Sequence, residues 1–221
     1  MKKNIDPKKR ARILSLLILS CLSLLTVQAQ ENDFAVWSTF GVKHKFTPAL
    51  TVGGNLEFRT KDHLKETDRW GIALNGSYQL SRIFKAEAGY EFHYRNRDAQ
   101  GWKIRQRYSF GLAASMKWTN FRFSLRERFQ QTWSQEKNEL HLRSLLKVGY
   151  VPSKGIVSPY GSLEFYNSLN GNPFFDLSRV RYRAGTEWKL SQKWGIDTYF
   201  LYQKEGSKNK YVLGLDFVLS L

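Results

Sequence analysis

Between Phe34 and Leu221 apolar and polar residues alternate with a period of two, in segments of about 11 to 15 residues. Such alternation describes strands with one apolar face, and no apolar pattern of period 3.6 competes with it. Strands in soluble proteins average roughly five or six residues. Segments twice that length suit a crossing of a ~25 Å apolar band at a tilt of around 40°. A helical crossing is excluded, because the longest apolar run, Ile13 to Leu25, covers only thirteen residues where roughly 18 are needed.

That run follows Lys8, Lys9, Arg10 and Arg12 and gives way to Thr26-Val27-Gln28-Ala29. The order of basic, apolar and small residues predicts a secretory signal peptide over 1–29, cut near Ala29, and a mature domain over 30–221. Cleavage removes six Lys/Arg and one Asp, so the formal charge falls from +16 to +11. The one cysteine, Cys21, leaves with it, and Leu19 before it fits lipid attachment poorly. All 7 Trp, 11 Tyr and 15 Phe remain in the mature part, which has no disulfide to rely on.

Eleven alternating segments can be counted: 34–46, 50–59, 70–80, 84–94, 102–118, 121–133, 140–150, 157–165, 180–190, 194–202 and 211–221. Short turns near residues 47, 81, 119, 153 and 191 interleave with polar stretches at 61–67, 96–101, 134–138, 167–177 and 205–210. The fold class expected is all-β: a transmembrane up-and-down antiparallel β-barrel of 10–12 strands, with longer loops on its outer side. Eleven is an awkward count, since a barrel with both termini on one side needs an even number. The expectation is ten or twelve, and the suspect segment is 34–46, where Trp37 breaks the apolar phase.

A soluble barrel would turn its apolar face inward. Tryptophan argues against that. Trp70, Trp102 and Trp133 lie toward the long-loop ends of the apolar phase, and Trp118, Trp188 and Trp194 toward the short-turn ends. Indole prefers the headgroup level, so two belts of Trp read as a membrane girdle. The last segment carries Tyr211, Leu213, Leu215, Phe217, Leu219 and Leu221 on one phase. This is the pattern by which the barrel-assembly machinery would take up a C-terminal strand, in the outer membrane of a Gram-negative cell.

The opening Asp33-Phe34-Ala35-Val36-Trp37-Ser38-Thr39-Phe40-Gly41-Val42, followed by Leu50 to Arg59 and the spaced Tyr and Arg strands, resembles the outer-membrane barrels grouped as domain of unknown function 2490. The likeness runs over roughly 30–221. It implies fold and location, and it carries no activity or site residues.

Arginine departs from plain alternation. Twelve of the fourteen arginines after residue 29 fall on the polar phase; Arg82 and Arg97 lie in connections. Arg105, Arg107, Arg122, Arg126, Arg128, Arg179, Arg181 and Arg183 form same-face ladders spaced about 6.5–7 Å, a candidate anion track. Glu57, Glu87, Glu91, Glu187 and Asp197, with Glu164 and Asp216, are the expected counter-charges. Two readings stay open: a lumen filled by salt bridges, and a basic lumen that concentrates small anionic solutes. The first suits a structural or adhesive barrel, the second a narrow porin-like channel.

A lipid-modifying esterase is a third class. His93 beside Glu91, with Ser109 on the next strand, is its one candidate, while His141 and Ser144 fall on opposite faces. No Gly-x-Ser-x-Gly elbow occurs. Asp62, His63, Glu66 and Asp68 in the first polar stretch read as a solvated loop rather than a metal site. No cofactor is implied. Nucleic acid is not an expected partner, because the bases alternate into an interior instead of covering one outer face. Outer-membrane lipid and small anions are the expected partners.

Overall fold

The computed structural model describes residues 32–134, 138–153 and 155–221; the signal segment read at 1–29 lies outside them. Eleven strands follow in order: β1 (Asn32–Lys45), β2 (Leu50–Lys61), β3 (Glu66–Gln79), β4 (Phe84–Asn96), β5 (Trp102–Trp118), β6 (Phe121–Ser134), β7 (Asn138–Tyr150), β8 (Val157–Ser168), β9 (Asp176–Lys189), β10 (Trp194–Glu205) and β11 (Lys208–Ser220). Each pairs antiparallel with the next, and β11 closes onto β1 to complete a barrel.

The closure corrects the expectation of an even count. β1 and β11 run in the same direction and pair in parallel over twelve residues, from Asn32↔Asn209 to Lys43↔Ser220. A sheet bounded by hydrocarbon needs every backbone group paired, and a parallel ladder meets that need as well as an antiparallel one. The 34–46 segment is therefore a full crossing. Trp37 breaks its outer phase because Trp37 points into the barrel, where it is 5% exposed.

Loop length is the second correction. Among fully described connections, those at the supposed long-loop end span 62–65, 97–101, 169–175 and 206–207, and those at the other end 46–49, 80–83, 119–120 and 190–193. The two sets hardly differ. The polar stretches have been absorbed into strand ends: β2 continues to Lys61, β8 to Ser168 and β10 to Glu205. The name loop end is kept below for the 62–65 side and turn end for the other.

The wall is apolar outside and polar inside. Leu56, Ile72, Leu74, Phe110, Met116, Leu146 and Leu213 are all exposed, whereas the buried set includes Arg69, His93, Gln130, Arg143 and Glu164. The buried apolar cluster is small: Ala35, Trp37, Tyr199, Leu201 and Val212, on β1, β10 and β11. This is the reverse of a water-soluble domain and the arrangement a lipid solvent requires. Around the rims, Trp70 leans on Phe58 with ring centres 4.4 Å apart, Trp102 stacks on Tyr94 at 4.9 Å and Trp133 meets Tyr108 edge-on at 5.2 Å. At the turn end Trp118 and Trp194 are exposed and Trp188 donates to Thr198 Oγ1 at 3.0 Å.

Large inward side chains are seated by glycine on the neighbouring strand. Tyr199 faces Gly214 across the β10–β11 ladder, and a Cβ at Gly214 would fall 1.9 Å from the Tyr199 ring. Tyr160 and Gly185 repeat the arrangement between β8 and β9, and His93 and Gly71 between β4 and β3. Replacing Gly214 with Ala must displace the ring, so Gly214→Ala is expected to destabilise the barrel by about 1–3 kcal/mol. Urea unfolding from detergent or lipid measures this; in a Tyr199→Ala background the same change is expected to cost nothing further.

Candidate functional site

Inward-pointing residues of all eleven strands enclose the lumen. Its larger chamber, of about 500 Å³, is lined by eleven arginines (Arg59, Arg69, Arg95, Arg105, Arg107, Arg126, Arg128, Arg143, Arg179, Arg181 and Arg183) with Lys147 and Lys210. Seven carboxylates share it: Glu57, Asp68, Glu91, Glu139, Glu164, Glu205 and Asp216. Thirteen cations against seven acids leave the chamber basic. A second chamber of about 340 Å³ lies toward the turn end and holds Arg122, Lys85, Glu87 and Glu187. Arg126, Leu145, Lys147 and Tyr160 line both chambers, so the two meet at this layer.

Most of the lumen carboxylates are engaged by bases. Glu164 is a hub: Arg143 donates at 2.7 Å and Arg126 at 3.2 Å, and Arg181 lies at 3.6 Å. Glu91 receives Arg107 at 2.6 Å, and Glu57 receives Arg59 at 2.5 Å. Asp68 takes Arg69 at 2.9 Å and Arg95 at 3.1 Å. Arg128 donates to Glu87 at 3.0 Å, Lys147 to Glu187 at 2.5 Å, and Arg105 to Glu139. Glu205 holds Arg179 through both nitrogens, at 2.6 and 2.9 Å. Asp197 is met by a hydroxyl, with Tyr160 Oη donating at 2.8 Å.

Four of these pairs join strands two apart, Arg126–Glu164, Arg128–Glu87, Arg105–Glu139 and Lys147–Glu187, and so cut chords across the lumen.

Several of the guanidinium groups, most of them also ion-paired, rest on aromatic rings. Tyr166, 3% exposed, has Arg143 at 4.5 Å, Arg181 at 4.8 Å and Arg179 at 4.9 Å from its ring centre. Arg59 lies 3.7 Å over Trp37, Arg183 3.9 Å over Tyr199, and the Lys147 ammonium 3.7 Å over Tyr160. A ring face offsets part of the cost of burying a cation without using up its N–H donors.

Alternation located most of these residues but missed some. Glu139 and Glu205 lie on strand ends beyond the segments counted from sequence. Asp68 could not be found by parity, because it is the extra residue of a bulge: Arg59 pairs with Arg69 and Thr60 with Thr67. The bulge turns Asp68 and Arg69 inward together. A second bulge places Ser178 opposite the step from Tyr166 to Asn167. Tyr166 and Tyr160 share the inward phase of Glu164, and that phase was their available signal.

The esterase candidate is not assembled. His93 is buried between Glu91 at 3.3 Å and Glu57 at 3.7 Å. Ser109 pairs with Gly89, four residues along β4 from His93, a separation of roughly 13 Å. His141 lines the lumen while Ser144 is on the outer wall. In the first loop, Glu66 pairs with Lys61 and Asp68 turns to the lumen, so the four candidate ligands do not converge.

A closed sheet with an apolar outer wall, aromatic residues at both rims and an ionised interior defines a transmembrane β-barrel of the outer-membrane type. The chain belongs to the family described as protein of unknown function DUF2490, whose model matches residues 34–212. No curated protein matches it in sequence. Among solved structures, the KdgM porin in complex with disordered oligogalacturonate is similar at 12% identity, over 81% of this chain and 93% of that one, with a TM-score of 0.49. The translocator domain of the autotransporter NalP from Neisseria meningitidis is similar at 12% identity, over 90% and 92%, with a TM-score of 0.47.

Removing one partner of a buried ion pair strands the others. Glu164→Gln leaves three arginines short of a counter-charge and is expected to destabilise the barrel by about 3–5 kcal/mol, read as a lower urea midpoint with unchanged strand content by circular dichroism.

Proposed function

We propose that the protein is a narrow, porin-like channel of the Gram-negative outer membrane that favours small anions. The observation that supports this reading is the basic surplus of the larger chamber, thirteen cations against seven carboxylates, with Arg126 and Lys147, paired to Glu164 and Glu187, lining the passage into the second chamber as well. Within a low-dielectric wall a surplus of fixed cations attracts anions and repels cations. Arg105, Arg107, Arg128, Arg179, Arg181 and Arg183 continue the basic lining toward the loop end, and Arg122 toward the turn end. Delivery follows signal cleavage near Ala29, and the barrel-assembly machinery takes up β11 through its outer row of Tyr211, Leu213, Leu215, Phe217 and Leu219. Outer-membrane lipid then surrounds the girdle of Trp70, Trp102, Trp118, Trp133, Trp188 and Trp194.

Reversal potential in a planar bilayer under a salt gradient tests the reading. Anion preference is expected, and Lys147→Glu is expected to lower the anion-to-cation permeability ratio by at least about threefold. Cation preference in the unaltered protein overturns it.

A second reading has its own support. The four chord pairs, and Trp37 lying between Arg59 at 3.7 Å and Arg181 at 5.2 Å, narrow the lumen. These contacts favour a sealed barrel acting through its rim. Absence of conductance would select that reading, and the 169–175 loop with exposed Phe174 and Phe175 would then be the surface to delete in a search for an adhesion partner. Lipid hydrolysis has no assembled nucleophile in its favour.

A further inference from the structure

The outer wall holds one side chain that a lipid solvent does not explain. Along β6 the outward row is Phe121, Phe123, Leu125, Glu127, Phe129, Gln131 and Trp133, with Arg126 and Arg128 on the opposite face. Glu127 stands six residues from each end of that row, about 15 Å from either rim along the membrane normal. His44 and Lys204 also face outward, but at strand ends. Among the described residues Glu127 is the one acidic or basic side chain on the outer wall in mid-strand. It has a built partner: Ser144, directly opposite on β7, donates its hydroxyl to Glu127 Oε2 at 2.7 Å.

An ionisable group at mid-membrane normally faces a protein interior or a water-filled cavity, and it marks a functional contact. Acyl chains offer no hydrogen bond at this depth, and headgroups are a strand's half-length away. Whatever covers Glu127 must bring its own donor and acceptor to the same height on an outer wall. A second copy of this chain does so by identity. We infer that the β6–β7 wall is a two-fold contact between two copies of this barrel, with Glu127 and Ser144 at its centre. A carboxyl carrying its proton is both donor and acceptor, so two of them across a two-fold axis pair reciprocally while each keeps its own Ser144. Beside the pair, toward the turn end, an outer recess of about 250 Å³ lined by Ala114, Met116, Phe123, Leu125, Leu146 and Val148 can receive an apolar side chain of the facing wall.

The test is photobleaching-step counting in lipid bilayers over a range of protein-to-lipid ratios. The label goes on Ser207→Cys at the loop end, in a Cys21→Ser background. The unaltered wall is expected to dimerise as protein density rises. Glu127→Leu is expected to weaken dimerisation at least tenfold, with unchanged heat-dependent gel migration and unchanged lumen conductance. Glu127→Gln, which retains a reciprocal donor and acceptor, is expected to stay within about threefold of the parent. Dicyclohexylcarbodiimide, which partitions into hydrocarbon and takes up a carboxyl O–H across its C=N bond to leave an N-acylurea on the side chain, gives a second readout: Glu127 is expected to react slowly at high density and quickly at low density. Monomers at every density, equal dimerisation of Glu127→Leu, loss in Glu127→Gln as severe as in Glu127→Leu, or labelling independent of density each overturn the inference.

Discussion

Backbone amides inside hydrocarbon have no water to fall back on, and this requirement organises the rest of the molecule. A strand at an open edge would present a row of unpaired N–H and C=O groups to lipid, so the sheet must close. Closure needs matching ladders but places no condition on their sense. The β1–β11 seam is parallel because eleven strands leave the first and last pointing the same way. Once the ring is closed, side chains of alternate sign of polarity are sorted to the two faces by the pleat alone.

Sorting creates the second problem, an interior too charged to be left unpaired and too narrow to be fully wet. The carboxylates answer it in part, with Glu164 serving three arginines. The aromatic rings answer more of it. Tyr166, Trp37 and Tyr199 lie under guanidinium groups on β2, β7 and β9, and the rings are in turn accommodated by close backbone, as at Gly214. A positive interior and a stable interior are therefore the same set of contacts. A carboxylate added beside Arg183 would quiet the field, and an arginine taken away would loosen the packing.

Most of the wall could be read from the sequence because the period-two pattern is forced by solvent on one face and by sterics on the other. Outward tryptophans and inward arginines follow from that one periodicity, and so do eleven segments, although the even-number rule argued for ten or twelve strands. What escaped it has specific causes. Asp68 lies at a bulge, where parity fails by construction. Trp37 is an indole on the inward phase, and it made a sound strand look doubtful. Glu139 and Glu205 belong to strand ends that look like loops because polar residues are tolerated beyond the rims. Glu127 was hidden differently: its phase was plain, but a single acid in an otherwise apolar row is easily passed over when attention is on the polar face. Pairings such as Arg126 with Glu164 depend on which strands lie two apart around a ring, and no linear spacing encodes that.

The parallel seam separates this barrel from even-stranded ones in how its ends are arranged. Five hairpins, β2–β3 through β10–β11, are tied at the loop end, and β1 stands there without a hairpin partner, held by its ladders to β2 and β11. In an even-stranded barrel the first and last strands both end on one rim, so only closed loops have to be carried through the bilayer. Here the beginning of β1 at Asn32 and the end of β11 at Ser220 lie on opposite rims. The backbone entering β1 and the backbone leaving β11 therefore meet different faces of the membrane.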